Sequence, residues 1–179
     1  RYPKLFFLVH AMEHGAEQVL LAIGGSATID GGVGAAMALG WRFLKHDGQE
    51  ISLGGGQLAE IDQILPPQEE IAAVVRVLCD VDNPLCGEHG AARIYGPQKG
   101  ATPEMVEKLD ANLAHLAQLV RDQLGQNIKD LPGAGAAGGL AAGAIAFLDG
   151  RLVSGVDEVI AQNRLREELA DADWVITGE

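Results

Sequence analysis

The sequence predicts an α/β fold, in which helices cover both faces of a parallel sheet to form a layered α/β/α domain. Two apolar runs, residues 18–23 and 74–79, have the composition of buried strands. A later run, residues 104–124, repeats its apolar side chains at helical spacing. Strands and helices alternate along the chain, and this order is typical of parallel strands joined by helical crossovers.

The first half of the chain is expected to begin with a helix that ends at Gly15, a residue type favoured just after a helix. Asp47-Gly48 predicts a tight turn between two short strands. The expected elements are a helix over residues 5–14, a strand over 18–23, a helix over 31–39, short strands over 41–44 and 51–53, and a short helix or turn over 58–64.

In the second half, Thr102 is a good helix cap and Pro103 suits the first helical position, so the strongest predicted helix begins there. The expected elements are a strand over residues 74–79, an irregular segment over 81–101, helices over 104–124 and 140–148, a helix in two pieces over 155–170, and a terminal strand over 173–177.

Composition limits the possible partners. The 179 residues suffice for one good-sized domain, or for one domain and part of another. The formal net charge of −12 argues against nucleic acid and anionic membranes as partners. Two cysteines, Cys79 and Cys86, are expected to be reduced thiols, so a cytoplasmic location is predicted. Small molecules are therefore the expected partners, and the composition does not indicate an oligomeric state.

The first candidate site is the glycine-rich segment that follows the first strand, residues 24–32. Gly24 and Gly25 would let the backbone approach a ligand closely. The following helix would offer N–H groups to an anion, while Ser26 and Thr28 add hydroxyl groups. Asp30 adds a carboxylate that could serve a metal or a proton. The segment predicts a phosphate or carboxylate site.

The second candidate site, residues 80–100, follows the second strand. Asp80 stands where a strand would deliver a carboxylate into a crevice, as a Mg²⁺ ligand or a base. Asn83 either contacts ligand or forms a turn before its proline. Arg93 suits bidentate capture of a carboxylate or phosphate, and Lys99 supplies a compact charge for a transferring phosphoryl group.

The third candidate site, residues 132–139, contains Gly-x-Gly-x-x-Gly from Gly133 to Gly138. A dinucleotide fingerprint needs a strand immediately before it, and residues 129–132 make a poor strand. Close packing of a helix is an equally good explanation. Gly135 is a candidate phosphate contact if the loop binds a ligand.

Together these segments resemble the glycerate kinase family of bacteria and plants. The matching runs are GGSAT-x-DGG (24–32), CDVDNPLCGEHGAARIYGPQKGA (79–101) and PGAGAAGG (132–139), and ITGE (176–179) resembles the start of a further family loop. Two features depart from the pattern: Ile29 stands where the family usually has asparagine, and residues 1–9 lack an expected Thr-Ser-x-Gly-x-Gly-like run.

The resemblance implies a two-domain kinase with its active site in the cleft between domains. The implied reaction transfers a phosphoryl group from ATP to D-glycerate, with Mg²⁺ as cofactor and 2-phosphoglycerate as the expected product. Residues 1–179 would be a central portion of such an enzyme, chiefly one domain, and residues 174–179 would return toward the other. The alternatives are a dinucleotide-dependent oxidoreductase that uses the 133–138 loop, and an inactive fragment of the kinase.

Within this scheme, the residue roles follow from side-chain chemistry. Asp80, Lys99 and Asp30 are the predicted catalytic residues, and Asp80 is the predicted metal ligand. The predicted substrate and phosphate contacts are Gly24, Gly25, Ser26, Thr28, Asn83, Arg93 and Gly135.

Overall fold

The computed structural model describes residue 8, residues 10–68 and residues 73–176. Residue 8 and residues 10–13 are helical, and a turn at residues 14 and 15 follows, so the helix ends one residue before the predicted end; residues 5–7 and 9 of the predicted helix lie outside the described residues. The strands are β1 (Gln18–Ala22), β2 (Arg42–Leu44), β3 (Gln63–Leu65), β4 (Val74–Leu78) and β5 (Arg151–Val153). None of the helices described is long and apolar enough to span a bilayer.

The labelled helices are α1 (Val33–Ala38), α2 (Ala91–Tyr95), α3 (Pro103–Leu124), α4 (Ala136–Leu148), α5 (Gly155–Gln162) and α6 (Leu165–Glu168), with 3₁₀ turns at Gly55–Glu60 and Pro97–Lys99. The long helix α3 has the predicted cap, because Thr102 Oγ1 accepts a hydrogen bond from the N–H of Met105.

A parallel sheet in the order β1-β4-β5 organises the site. Leu20 pairs with Arg76, and Val77 pairs with Leu152. Because all three strands run in one direction, the loops that follow them open at the same edge of the sheet. The predicted α/β class is thus confirmed, and the first two candidate segments, which follow β1 and β4, lie at one edge.

One face of the sheet packs on α4. Val75 and Val77 of β4 form a core with Ala141 and Ala144 of the helix, all of them buried. Residues 137–139 have left-handed backbone conformations, so the regular helix begins at residue 140, as predicted. The small side chains of α4 allow a close approach, because a Cβ at Gly143 would lie 2.5 Å from the carbonyl oxygen of Gly31.

The strands β2 and β3 form a second sheet, and this pairing differs from the predicted hairpin of residues 41–44 and 51–53. The Asp47-Gly48 turn forms, since the N–H of Lys45 donates to the carbonyl of Gln49 at 2.8 Å. However, residues 51–53 are not a strand, and β2 pairs with β3, where a short helix or turn was expected. The amide of Gln123 on α3 holds this arrangement, donating to the carbonyl of Asp62 and accepting from the N–H of Ile64 at 2.8 Å each.

Two further expectations are wrong. The segment 81–101 is not wholly irregular, because α2 and the Pro97–Lys99 turn lie within it. Residues 173–176 form no strand, and Thr177 lies outside the described residues. Trp174 and Ile176 are 88% and 96% exposed, so the apolar pattern that predicted a buried strand finds no packing partner within the described part of the chain. The predicted two-piece helix over 155–170 is confirmed as α5 and α6.

We expect Gly143→Ala to destabilise the fold, although alanine normally favours a helix interior by about 1 kcal/mol. Its methyl group would meet the backbone of Gly31 and Gly32, and overpacking of this kind costs about 1–3 kcal/mol. Urea unfolding measures the difference. Gly56→Ala is the matched control, because a Cβ there meets nothing within 4 Å. Equal stability of the two variants would contradict the proposed contact.

Candidate functional site

An open cavity of about 290 Å³ lies at the carboxyl edge of the sheet. It brings together parts of all three candidate segments. Its walls are the residues after β1, the end of β4, the turn after α2, and the start of α4. The lining residues are Ile23, Gly24, Gly25, Ser26, Leu78, Cys79, Asp80, Val81, Tyr95, Gln98, Lys99, Ala136 and Ala137.

Lys99 is the cation of this cavity. Its Nζ donates to Ser26 Oγ at 2.8 Å and to the carbonyl oxygen of Thr28 at 2.7 Å. The side chain is half-buried, and loss of hydration lowers the pKa of Lys99, while the charge of Asp30 opposes that shift. The ammonium group of Lys99, in the second candidate segment, therefore hydrogen-bonds directly to the first candidate segment.

Ser26 connects Lys99 to the third segment. Its hydroxyl donates to the carbonyl oxygen of Ala137 at 2.6 Å while it accepts from Lys99. Ala137 has a φ of 55°, a left-handed conformation that is uncommon outside glycine. The Ser26 hydroxyl, which was predicted to contact an anion, thus already donates within the protein.

Asp30 is buried at 4% exposure and is not among the residues that line the cavity. It accepts from the N–H of Gly32 at 3.1 Å and from that of Gly34 at 3.4 Å, and Thr28 Oγ1 lies 3.4 Å away. Burial raises the pKa of Asp30, and these hydrogen bonds oppose the rise. The expectation of a free anion-binding helix terminus is wrong, because Asp30 already occupies the N-terminus of α1.

Asp80 lines the cavity and also caps a helix. Its Oδ1 accepts from Ser154 Oγ at 3.2 Å, from the N–H of Gly155 at 2.9 Å, and from that of Val156 at 3.4 Å. These groups lie at the start of α5, directly after β5. The sequence predicted Asp80 at the strand end but not this partner, because β5 is only three residues long and was not expected.

Asn83 is held by protein at both ends of its amide. Its Oδ1 accepts from the Tyr95 hydroxyl at 2.8 Å, and its Nδ2 donates to the carbonyl of His89 at 3.1 Å. Tyr95, rather than Asn83, lines the cavity. Burial raises the pKa of Tyr95, with a further contribution from Cys79. The signal for Tyr95 was visible in sequence, since it is one of two tyrosines and lies within the candidate loop.

Arg93 lies apart from Lys99. It is on the exposed side of α2 and borders a separate depression with Pro97, Ala101 and Glu107. The structure therefore does not bring the two predicted cations into one cavity.

The glycines of the third segment serve backbone packing. A Cβ at Gly135 would strike the carbonyl oxygen of Pro84, and one at Gly138 would strike that of Thr28. The N–H of Gly135 donates to the carbonyl of Asn83 at 2.9 Å. Residues 126–132 are not a strand, so the dinucleotide fingerprint lacks its structural context. Of the two explanations for this motif, the structure supports close packing, and Gly135 is not exposed to the cavity.

Comparison with known proteins decides the family, because the model of the glycerate kinase family matches residues 6–179. The chain belongs to the glycerate kinase family. It is 50% identical to a glycerate kinase of Halalkalibacterium halodurans over 176 residues, which are 96% of this chain and 46% of that protein. It is 46% identical to the glycerate 2-kinase of Escherichia coli, with the same shares of the two chains covered. The chain thus spans about half the length of these relatives.

A solved structure supports the same fold. A crystal structure described as glycerate kinase 2 from Salmonella typhimurium LT2 matches with a TM-score of 0.87 and 41% identity. The match covers 94% of this chain and 46% of that one.

The departure of this family member at Ile29 has a structural explanation. Ile29 is 6% exposed and packs in the main hydrophobic core with Leu85 and Leu113. Its side chain does not line the cavity. Isoleucine at this position therefore adds to the core and removes no cavity-lining group.

The described residues of this glycerate kinase family chain include no group of three or more His, Cys, Asp and Glu side chains that could hold a metal ion. A metal at the cavity would have to take most of its ligands from substrate and water, as Mg²⁺ commonly does in phosphoryl-transfer sites.

The two cysteines should differ sharply in reactivity. Burial raises the pKa of Cys86 to about 12, so roughly one molecule in ten thousand carries the reactive thiolate at pH 8. Cys79 is half-buried and lines the cavity. We expect a thiol reagent at pH 8 to modify Cys79 first, with both thiols reacting in urea. Mass spectrometry identifies the site, and equally fast modification of Cys86 in the folded protein would contradict this prediction.

Proposed function

We propose that the protein phosphorylates D-glycerate with ATP and Mg²⁺, and that the product is 2-phosphoglycerate. The observation that carries the proposal is the Lys99 ammonium group, which is held in a cavity at the carboxyl edge of the sheet. The relatives support it, since they carry the names glycerate kinase and glycerate 2-kinase. Because the chain spans about half their length, the activity is proposed for the longest natural chain that contains this sequence.

Phosphoryl transfer requires positioning and charge neutralisation more than covalent chemistry by the protein. In our proposal, Lys99 neutralises charge on the moving phosphoryl group. Gly24 and Gly25 line the cavity without side chains, and a Cβ at Gly24 would meet nothing within 4 Å, so phosphate oxygens can come close to the backbone there. Main-chain N–H groups and a lysine are common partners of phosphate.

The volume of the cavity bears on which ligand it receives. At about 290 Å³, it lies just below the range of about 300–1,000 Å³ for sites that enclose drug-sized ligands. We therefore assign it to the reacting end of the complex, glycerate and the transferring phosphate. In our proposal, the rest of the nucleotide lies against the second domain of a two-domain kinase.

Asp80 fits a role as Mg²⁺ ligand. All three of its hydrogen bonds fall on Oδ1, and Mg²⁺ is commonly held by one or two carboxylates together with phosphates and water. Bound Mg²⁺ would supply charge neutralisation between phosphates.

Asp80 is also better placed than Asp30 to accept the hydroxyl proton of the substrate, because Asp30 is buried away from the cavity lining. We propose an indirect role for Asp30, whose negative charge favours the protonated form of Lys99.

Arg93 remains a predicted ligand for the glycerate carboxylate. In the described structure it lies outside the cavity, so it could act there only from the rim or after a rearrangement of α2.

Lys99→Ala should lower kcat by at least about a hundredfold, because a positioned cation at the developing charge supplies several kcal/mol to the transition state. A coupled assay of ADP release with saturating D-glycerate measures kcat. Lys108→Ala on the exposed side of α3 is the control, and it should leave kcat unchanged. A near-normal kcat for Lys99→Ala would exclude the proposed role.

Two substitutions separate the possible roles of Asp80. Asparagine can still cap α5 but carries no charge, so Asp80→Asn should keep the melting temperature while lowering kcat and weakening Mg²⁺ dependence. Alanine also removes the Asp80 hydrogen bonds to the start of α5, while Ser154 Oγ still accepts from the N–H of Asp157, so Asp80→Ala should lose a further 0.5–2 kcal/mol of stability, roughly the worth of a capping interaction. Normal kcat and Mg²⁺ dependence in Asp80→Asn would show that Asp80 acts only as a cap.

A further inference from the structure

We propose that Ser26 is a positioning residue, whose hydroxyl fixes the Lys99 ammonium group in the cavity and does not itself bind substrate. This inference rests on the proposed function, since it assigns Lys99 to the reaction. It differs from the expectation that Ser26 contributes a hydroxyl to an anion cradle. The basis is the hydrogen-bond chain that joins the three glycine-rich segments through one side chain.

The direction of that chain follows from the number of protons available. A lysine ammonium group only donates, and it directs two of its three protons at Ser26 Oγ and the carbonyl of Thr28. A serine hydroxyl has one proton, and the carbonyl of Ala137 accepts it at 2.6 Å. Ser26 therefore has no further proton for a phosphate oxygen. The third proton of Lys99 remains the one suited to a ligand.

The backbone that receives the Ser26 hydrogen bond is itself unusual. Ala137 has a φ of 55° and is followed by two glycines with positive φ, Gly138 and Gly139. Left-handed conformations at non-glycine residues cost free energy and persist where the surroundings hold them, often at functional sites. The Ser26 hydroxyl is one such restraint, because it bonds the carbonyl of this residue. Ser26 thereby links the position of Lys99 to the left-handed turn at the start of α4.

The other ionisable groups around Lys99 are few. Asp30 is not among the cavity-lining residues but acts on Lys99 through its charge. Cys79 and Asp80 line the cavity just after β4, and Tyr95 lines it from α2. The start of α4 contributes only Ala136 and Ala137. A hydroxyl oxygen that accepts from the ammonium group favours its protonated form. Removing that acceptor should therefore move the loss of the Lys99 proton to lower pH.

The test compares Ser26→Ala with Ser26→Thr in the longest natural chain that contains this sequence. Ser26→Ala should lower kcat by up to about a hundredfold, because small misplacements of a reacting group have effects of this size. The KM for D-glycerate should change little, since no substrate contact is lost. The alkaline limb of the kcat profile should shift to lower pH. Ser26→Thr retains the hydroxyl and should restore both kcat and the pH profile.

A second readout does not depend on activity. NMR of ¹³C-lysine-labelled protein, with Lys99 assigned from Lys99→Arg, should show a lower pKa for Lys99 in Ser26→Ala than in Ser26→Thr. If Ser26→Ala fails to fold, Ser26→Cys serves in its place, because a thiol is a weaker acceptor and should give a shift in the same direction.

The outcomes separate this inference from the proposed function. A raised KM with normal kcat in Ser26→Ala would show that Ser26 contacts substrate, and would overturn the positioning role. Unchanged kcat and an unchanged Lys99 titration would overturn it as well, while leaving the proposed function intact. The proposed role of Lys99 fails if Lys99→Ala keeps normal kcat, and the proposed function fails if the unaltered protein does not phosphorylate D-glycerate with ATP.

Discussion

The close approach of two backbones is the constraint on which the site depends. The loop after β1 passes directly over the start of α4, and the N–H of Gly31 donates to the carbonyl of Gly138 at 3.2 Å. A Cβ at Gly139 would lie 2.8 Å from the Cα of Gly31, and one at Gly32 would lie 2.9 Å from the Cα of Gly143. Only glycine permits this approach. Because the two segments touch, Ser26 can donate to the carbonyl of Ala137 while it accepts from Lys99.

The same contact determines the electrostatics of the site. The chain carries a net charge of −12, yet the described cavity centres on an ammonium group. Burial lowers the pKa of Lys99 and raises the pKa of Asp30, so desolvation opposes the charged form of each. Hydrogen bonds from Gly32, Gly34 and Thr28 favour the charged form of Asp30, and the charge of Asp30 in turn favours the charged form of Lys99. The site is therefore a compact, hydrogen-bonded ion arrangement within an acidic protein.

The elements that depend on local interactions could be predicted from local patterns in the sequence. The strands at 18–23 and 74–79, the Thr102 cap and the regular helix from residue 140 all follow from apolar spacing and capping chemistry. The strands β3 and β5 escaped prediction because each is short and its tertiary pairing decides it, whereas the equally short β2 was marked by the Asp47-Gly48 turn signal beside it. In the site, Lys99 and Asp80 could be identified from their residue types. Tyr95 lines the cavity and Arg93 does not, and this difference depends on how α2 packs, which residue spacing in the sequence does not reveal.

Asp80 shows how the fold and the site share one carboxylate. A helix N-terminus and a divalent cation both attract negative charge, so they would compete for a single oxygen. Here the cap uses Oδ1, which leaves Oδ2 as the oxygen for a cation in the proposed mechanism. The helix α5 has a second anchor, because its buried Glu158 pairs with Arg76 of β4. That ion pair joins α5 to the sheet independently of the hydrogen bonds to Asp80.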